Sequence, residues 1–199
     1  MKLALFILSA ILLIGGAVWS ARALTIAALT DQNAIYDDFE QTPSLWLFSD
    51  KIGAAAASGV ERAKVAIAGP LGLSSKEVVY LIALTDNQGE RLVSNCTYRV
   101  TGSPIDTRWW SLTLYDSETQ HYVPNEDNRS SWNSVAIPRD QQGNWSIDVA
   151  PTRRGDAWLP SQSNGARAFE LMLRVYSPSA ATRAALPDIN LPDVARLSC

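Results

Sequence analysis

The chain has 199 residues, with 17 Lys and Arg against 20 Asp and Glu and a net charge of −3. Setting aside Lys2 and Arg22 of the N-terminal segment leaves 15 basic against 20 acidic side chains, a net of −5, and no basic stripe. That balance argues against nucleic acid as a partner, and the 176 residues beyond Ala23 suffice for one domain with a proper core.

The chain opens with 17 uncharged residues, Leu3 to Trp19, broken only by Ser9, and the apolar run resumes past Arg22. A membrane-spanning helix needs about 20 such residues. Length therefore favours an uncleaved anchor over residues 1–29, while Ala21-Arg22-Ala23 offers a cleavage site for a signal peptide. Lys2 keeps the N-terminus cytoplasmic under the positive-inside rule, which puts the body on the far side of the membrane. The expected location is the bacterial inner membrane, single-pass, with the globular domain in the periplasm. Cys96 and Cys199 are the only thiols, and in that oxidising compartment they are expected to form a disulfide.

Residues 30–49 read as a polar linker and residues 50–199 as the folded domain. Asp50 is placed to cap a helix over Lys51 to Ala68, stopped by Gly69-Pro70. The apolar period then changes to two. Val78 to Leu84 is apolar on both phases, which predicts a strand buried on both faces. Asp86-Asn87-Gln88-Gly89 is a turn, and Cys96 to Thr101 is the next strand, ended by Gly102-Ser103-Pro104. In Arg108 to Tyr115, Trp110, Leu112 and Leu114 share one face. Trp145, Ile147 and Val149 alternate in the same way, as do Phe169, Leu171, Leu173 and Val175. The tail after Pro178 is short on pattern. The expected fold is mainly β: an antiparallel sandwich of jelly-roll type, with the membrane helix and one further helix before the sheet. Six tryptophans lie beyond the membrane segment, and they are expected in the core or at an interface, with a ligand platform as the sharper alternative.

Four segments carry a resemblance. They are Cys96-Thr97-Tyr98-Arg99-Val100, Arg108-Trp109-Trp110-Ser111-Leu112-Thr113-Leu114-Tyr115-Asp116, Trp158-Leu159-Pro160 and Leu171-Met172-Leu173-Arg174-Val175-Tyr176-Ser177-Pro178. Together they resemble the domain of unknown function 1214, in particular its short bacterial members with an N-terminal membrane segment. The resemblance implies a jelly-roll sandwich and a partner carrying the domain of unknown function 1254. It implies no reaction. Where the family has Asn-Arg-Tyr-Ser, this chain has Asn128-Arg129-Ser130-Ser131, with Trp132 next to it.

Candidate chemistry is thin. His121 is the single histidine, and no Gly-x-Ser-x-Gly elbow accompanies it. A metal site on His121 with Glu126 or Asp127 is poorly supported, so neither metal nor cofactor is expected. A glycosidase pair drawn from Asp106, Asp116, Asp127 and Asp148 has no spacing to select it. The loop Asn125 to Trp132 differs in kind, because Asn125, Asn128 and Arg129 put amide and guanidinium donors beside the face of Trp132. Those four residues are the candidate ligand or partner site; the alternative is a loop capped by its own side chains. The functional expectation is a membrane-anchored binding or assembly module rather than an enzyme. The competing reading is a periplasmic hydrolase or carbohydrate-active enzyme with a site near His121 and Arg129.

Overall fold

The computed structural model describes residues 2–30, 36, 39–49, 51–68, 72–161, 165–186 and 189–199. Helix α1 (Lys2–Thr30) has 29 residues and is about 43 Å long at 1.5 Å per residue. Its stretch Phe6–Ala27 is long and apolar enough to cross a membrane, and none of it is buried by the body. Those are the properties of a single-pass anchor and of a signal sequence alike.

Part of the expected linker folds. Glu40–Gln41 (β1) and Trp46–Ser49 (β2) form an antiparallel hairpin around Thr42-Pro43-Ser44, with the Trp46 side chain fully buried. The expected helix over Lys51 to Ala68 is shorter: α2 spans Gly59–Ala68. Its cap is Ser58, whose hydroxyl accepts from the Glu61 N–H while the Glu61 carboxylate accepts from the Ser58 N–H. This reciprocal box fixes the start where the local chemistry is best, and the residues before it turn instead. Gly53 sits at a φ of +70° with the Leu73 carbonyl against its Cα, a place no side chain could occupy. Asp50 and Gly69-Pro70 lie outside the described residues.

Eight more strands follow: β3 (Val78–Ala83), β4 (Thr97–Gly102), β5 (Thr107–Asp116), β6 (Ser131–Asn133), β7 (Trp145–Ala150), β8 (Trp158–Pro160), β9 (Phe169–Pro178) and β10 (Asp193–Ser198). They make two sheets, β1-β2-β3-β9-β5-β6 and β10-β4-β7-β8. The larger is antiparallel throughout, whereas β7 and β8 pair in parallel, so the smaller sheet is mixed and not antiparallel as expected. All six residues of β3 are buried, as its doubly apolar pattern requires. The inward phases of β5 and β9 meet in one core: Trp110 opposes Val175, Leu112 opposes Leu173 and Leu114 opposes Leu171. Trp145, Ile147 and Val149 of the second sheet join the same cluster, with the Trp110 and Trp145 ring centroids 4.6 Å apart.

The C-terminal tail is also more ordered than its pattern suggests. Ser179 caps the short helix α3 (Ala180–Ala185), and β10 then pairs with β4. Cys199 is disulfide-bonded to Cys96 at the head of β4. Arg196 of β10 also reaches Asp86, whose side chain is fully buried, at 2.8 Å; this is an ion pair off hydrogen-bond alignment.

Candidate functional site

The loop 125–132 is held by its own side chain. The Asn125 amide donates to the carbonyls of Val123 and Arg129, and its oxygen accepts from the Arg129 N–H at 2.9 Å. Asn128 adopts a φ of +49°, which asparagine tolerates, and closes the turn by donating its N–H to the Asn125 carbonyl. The Arg129 guanidinium lies 4.3 Å from the centre of the Trp132 ring. Trp132 is buried and donates its indole N–H to the Trp158 carbonyl. Of the four candidate residues, Asn125 is occupied as a clamp and Trp132 as a support. Asn128 and Arg129 stand exposed.

His121 is exposed at the turn after β5, where its carbonyl accepts from the Asp116 N–H. Three of the four candidate carboxylates pair with different arginines. Asp116 meets Arg167 at 2.7 Å, Asp127 meets Arg153 at 3.8 Å, and Asp148 meets Arg99 at 2.9 Å. Burial pushes the Asp116 carboxyl up, but the Thr119 N–H, the Arg167 guanidinium and the Thr119 hydroxyl outweigh it, leaving the group below its ordinary value. Among the described residues no three His, Cys, Asp or Glu side chains gather as metal ligands would. Among the described residues, one open groove lies beside α2 over Ile52, Ala57 and Val65, and another lies under Asn144, Asn190 and Arg139. Neither is lined by His121 or Arg129.

The outward face of the larger sheet carries a polar and aromatic cluster that the alternation did not single out. Register puts Tyr80, Arg174 and Ser111 in one row, Ile82, Met172 and Thr113 in the next, and Glu170 opposite Tyr115. Arg174 donates to the Thr113 hydroxyl at 3.2 Å and to the Tyr115 hydroxyl at 2.8 Å. It also lies over the rings of Tyr80 and Tyr115. Tyr115 stacks on exposed Tyr122 at 5.1 Å, and Trp109 packs edge-on to Tyr176 at 4.8 Å.

At one end of this face Glu170 is fully buried. Its carboxylate accepts from the Tyr36 hydroxyl, which in turn accepts from the Gln120 amide, while the Oε1 atom has no hydrogen-bond partner. Burial pushes the Glu170 carboxyl up, against the pull of Tyr36, Gln120, Arg91 and Arg174. Burial and the Glu170 charge push the Tyr36 hydroxyl up as well. The Tyr115 hydroxyl is raised by burial to about 12, although Arg174 pulls it down. A sequence signal for this cluster exists. The outward phases of β5 and β9 hold Trp109, Tyr115, Met172 and Tyr176 but only two charges, too few for a face turned wholly to water.

Residues 77–180, the span from just before β3 into α3, match the family described as "Protein of unknown function (DUF1214)". The chain belongs to that family. No curated protein matches it. The fold is similar to the crystal structure of the VPA0106 protein from Vibrio parahaemolyticus, at 21% identity and a TM-score of 0.56 over 71% of this chain. A putative uncharacterized protein from Burkholderia cenocepacia matches more distantly, at 16% identity and a TM-score of 0.40 over 61% of this chain. The chain spans 36% and 29% of the lengths of those two proteins.

Proposed function

We propose that this member of the family is a membrane-anchored envelope protein whose periplasmic sandwich is a binding or assembly module for a partner carrying the domain of unknown function 1254. The observation that carries the reading is the outward face of the larger sheet, where Trp109, Met172, Arg174 and Tyr176 are only half-buried. A half-covered aromatic face around one held guanidinium suits a protein partner better than bulk water. Strand β6 connects this face to the loop at Asn125, Asn128, Arg129 and Trp132, which we assign to the rim of the same surface. The enzyme reading would need a recess at His121 and Arg129, and the two grooves described lie elsewhere. The jelly-roll path belongs to the same proposal; what supports it is the pairing of sequence-distant strands, β3 with β9 and β4 with β10.

The test is co-expression of the full chain with a domain 1254 protein, followed by purification from detergent-extracted membranes. Co-purification that Trp109→Ala or Arg129→Ala weakens at least tenfold, with the melting temperature held within about 2 °C, supports the assignment. Equal recovery with both variants rejects the surface. Alkaline carbonate washing and N-terminal sequencing decide the anchor: a washed-out chain beginning at Leu24 rejects it.

A further inference from the structure

The chain holds three Asn-x-Ser/Thr acceptor patterns, at Asn95, Asn128 and Asn144. Such a pattern marks an asparagine open to N-linked glycosylation when it faces an extracytoplasmic compartment, but three matches in one chain are weak until geometry separates them. At Asn95 the hydroxyl two residues on belongs to buried Thr97, and the residue between is Cys96, buried and disulfide-bonded. A transferase has no access to that hydroxyl. At Asn144 the acceptor amide itself is engaged, donating to the Asp140 carboxylate at 3.0 Å, and Trp145 beside it is buried.

Asn128 is different on each count. It is exposed at the tip of a loop whose clamp is made by Asn125, and its own carboxamide takes no part in that clamp. Asn128 sits in a left-handed turn, at a φ of +49°, with its neighbours Asp127 and Arg129 also exposed. Ser130 is half-buried, not sealed. Two residues before Asn128 stands exposed Glu126, whereas Asn95 follows Val93 and Asn144 follows Gln142 at that spacing. A carboxylate there, with a hydroxyl two residues after, gives a transferase one charge and one hydrogen-bonding group on either side of the acceptor.

We propose that Asn128 is an acceptor for a glycan delivered from a polyisoprenyl diphosphate-linked oligosaccharide by a membrane transferase. The Asn128 amide nitrogen attacks C1 of the first sugar. The C1–N bond forms as the C1–O bond to the diphosphate breaks, and the polyisoprenyl diphosphate leaves with the electron pair. The amide proton passes to a carboxylate of the transferase. The inference rests on the periplasmic placement of the body, and the glycan would stand at the rim of the proposed partner surface, on the one candidate residue there that makes neither the clamp nor the ring contact.

The test expresses the full chain in a bacterial host that carries an oligosaccharyltransferase reading an acidic residue before the acceptor, together with its lipid-linked oligosaccharide. The protein is purified in detergent and read by intact mass and glycopeptide mapping. One glycan on Asn128 is expected. It should vanish in Asn128→Gln and fall at least tenfold in Ser130→Ala and Glu126→Gln, while Asn95→Gln and Asn144→Gln leave it unchanged. Ser130→Ala keeps the test decisive if the turn does not tolerate Gln at position 128. An unglycosylated chain with the Cys96–Cys199 disulfide formed overturns the acceptor assignment alone. An unglycosylated chain with both thiols free overturns the placement and the assignment together. A glycan found on Asn95 or Asn144 instead also overturns it.

Discussion

Glu170 shows how much a single side chain departs from its place in an alternating pattern. On the outward phase of β9 it should meet water, yet it is fully buried, one oxygen held by Tyr36 and the other without a partner. Taking a carboxylate out of water with so few donors favours its neutral form. A carboxyl raised in the folded chain binds its proton more readily there than in the unfolded one. Its cost to stability is therefore complete at high pH and is relieved as pH falls through the folded value toward the unfolded one. Asp116 works in the opposite sense: it is held below its ordinary value, so its contribution is present at neutral pH and is lost at strongly acid pH. The Glu170 contribution makes the melting temperature rise as pH falls toward the ordinary carboxylate range, and the Asp116 contribution makes it fall again below that range. Glu170→Gln keeps an acceptor for Tyr36 and removes the charge, so it should raise the melting temperature at pH 8 and abolish the rise toward the carboxylate range. A variant that melts lower than wild type at pH 8 would show that the ionised carboxylate is the stabilising form.

Among the elements, β5 and β9 carry the core. Trp110 is 1% exposed and stacks near Trp145, so Trp110→Ala should cost roughly 3–5 kcal/mol in denaturant unfolding. A loss under about 1 kcal/mol would mean the neighbours collapse into the space. Strand β10 depends on covalent help, since only Val194 of its six residues is buried. Its bond closes a separation of 103 residues, and Cys199→Ser should cost about 2–5 kcal/mol, with reductant producing the same loss in the wild type. The strands legible in the sequence are those long enough for a period to repeat: β3, β4, β5, β7 and β9. Strands β6 and β8 have three residues each, too few to show one. Strand β10 and α3 were hidden because Pro187 and Pro192 break the tail into short pieces held by a disulfide and an ion pair. The hairpin β1–β2 was masked by the polar turn at Thr42-Pro43-Ser44. At the candidate site, donor density found the loop 125–132, but it could not show that Asn125 spends its amide on the loop's own backbone. The Glu170 cluster needed two facts that no local window contains: strand register across the sheet, and Tyr36 arriving 134 residues away.

For the whole molecule, α1 comes near the body at α2 but leaves its apolar surface open. Phe6, Leu13, Trp19 and Leu24 are each more than 70% exposed, and the stretch Phe6–Ala27 is buried nowhere by the body. The core cluster draws on no residue of α1. Leaving that much apolar surface open is unfavourable in water by roughly 25 cal/mol per Å² and is relieved in hydrocarbon. A bilayer would supply the energy that places α1, whereas the described residues from Phe39 onward draw theirs from the sandwich. A chain beginning at Asn33, oxidised so that the Cys96–Cys199 disulfide is formed, should therefore be recovered without detergent while keeping its cooperative unfolding, with a melting temperature within about 2 °C of the detergent-extracted full chain. It retains Tyr36, so the contact to Glu170 is preserved and the comparison isolates α1. A loss of cooperative unfolding on truncation would show that α1 packs on the body, and that the exposed helix is a docked element and not an anchor.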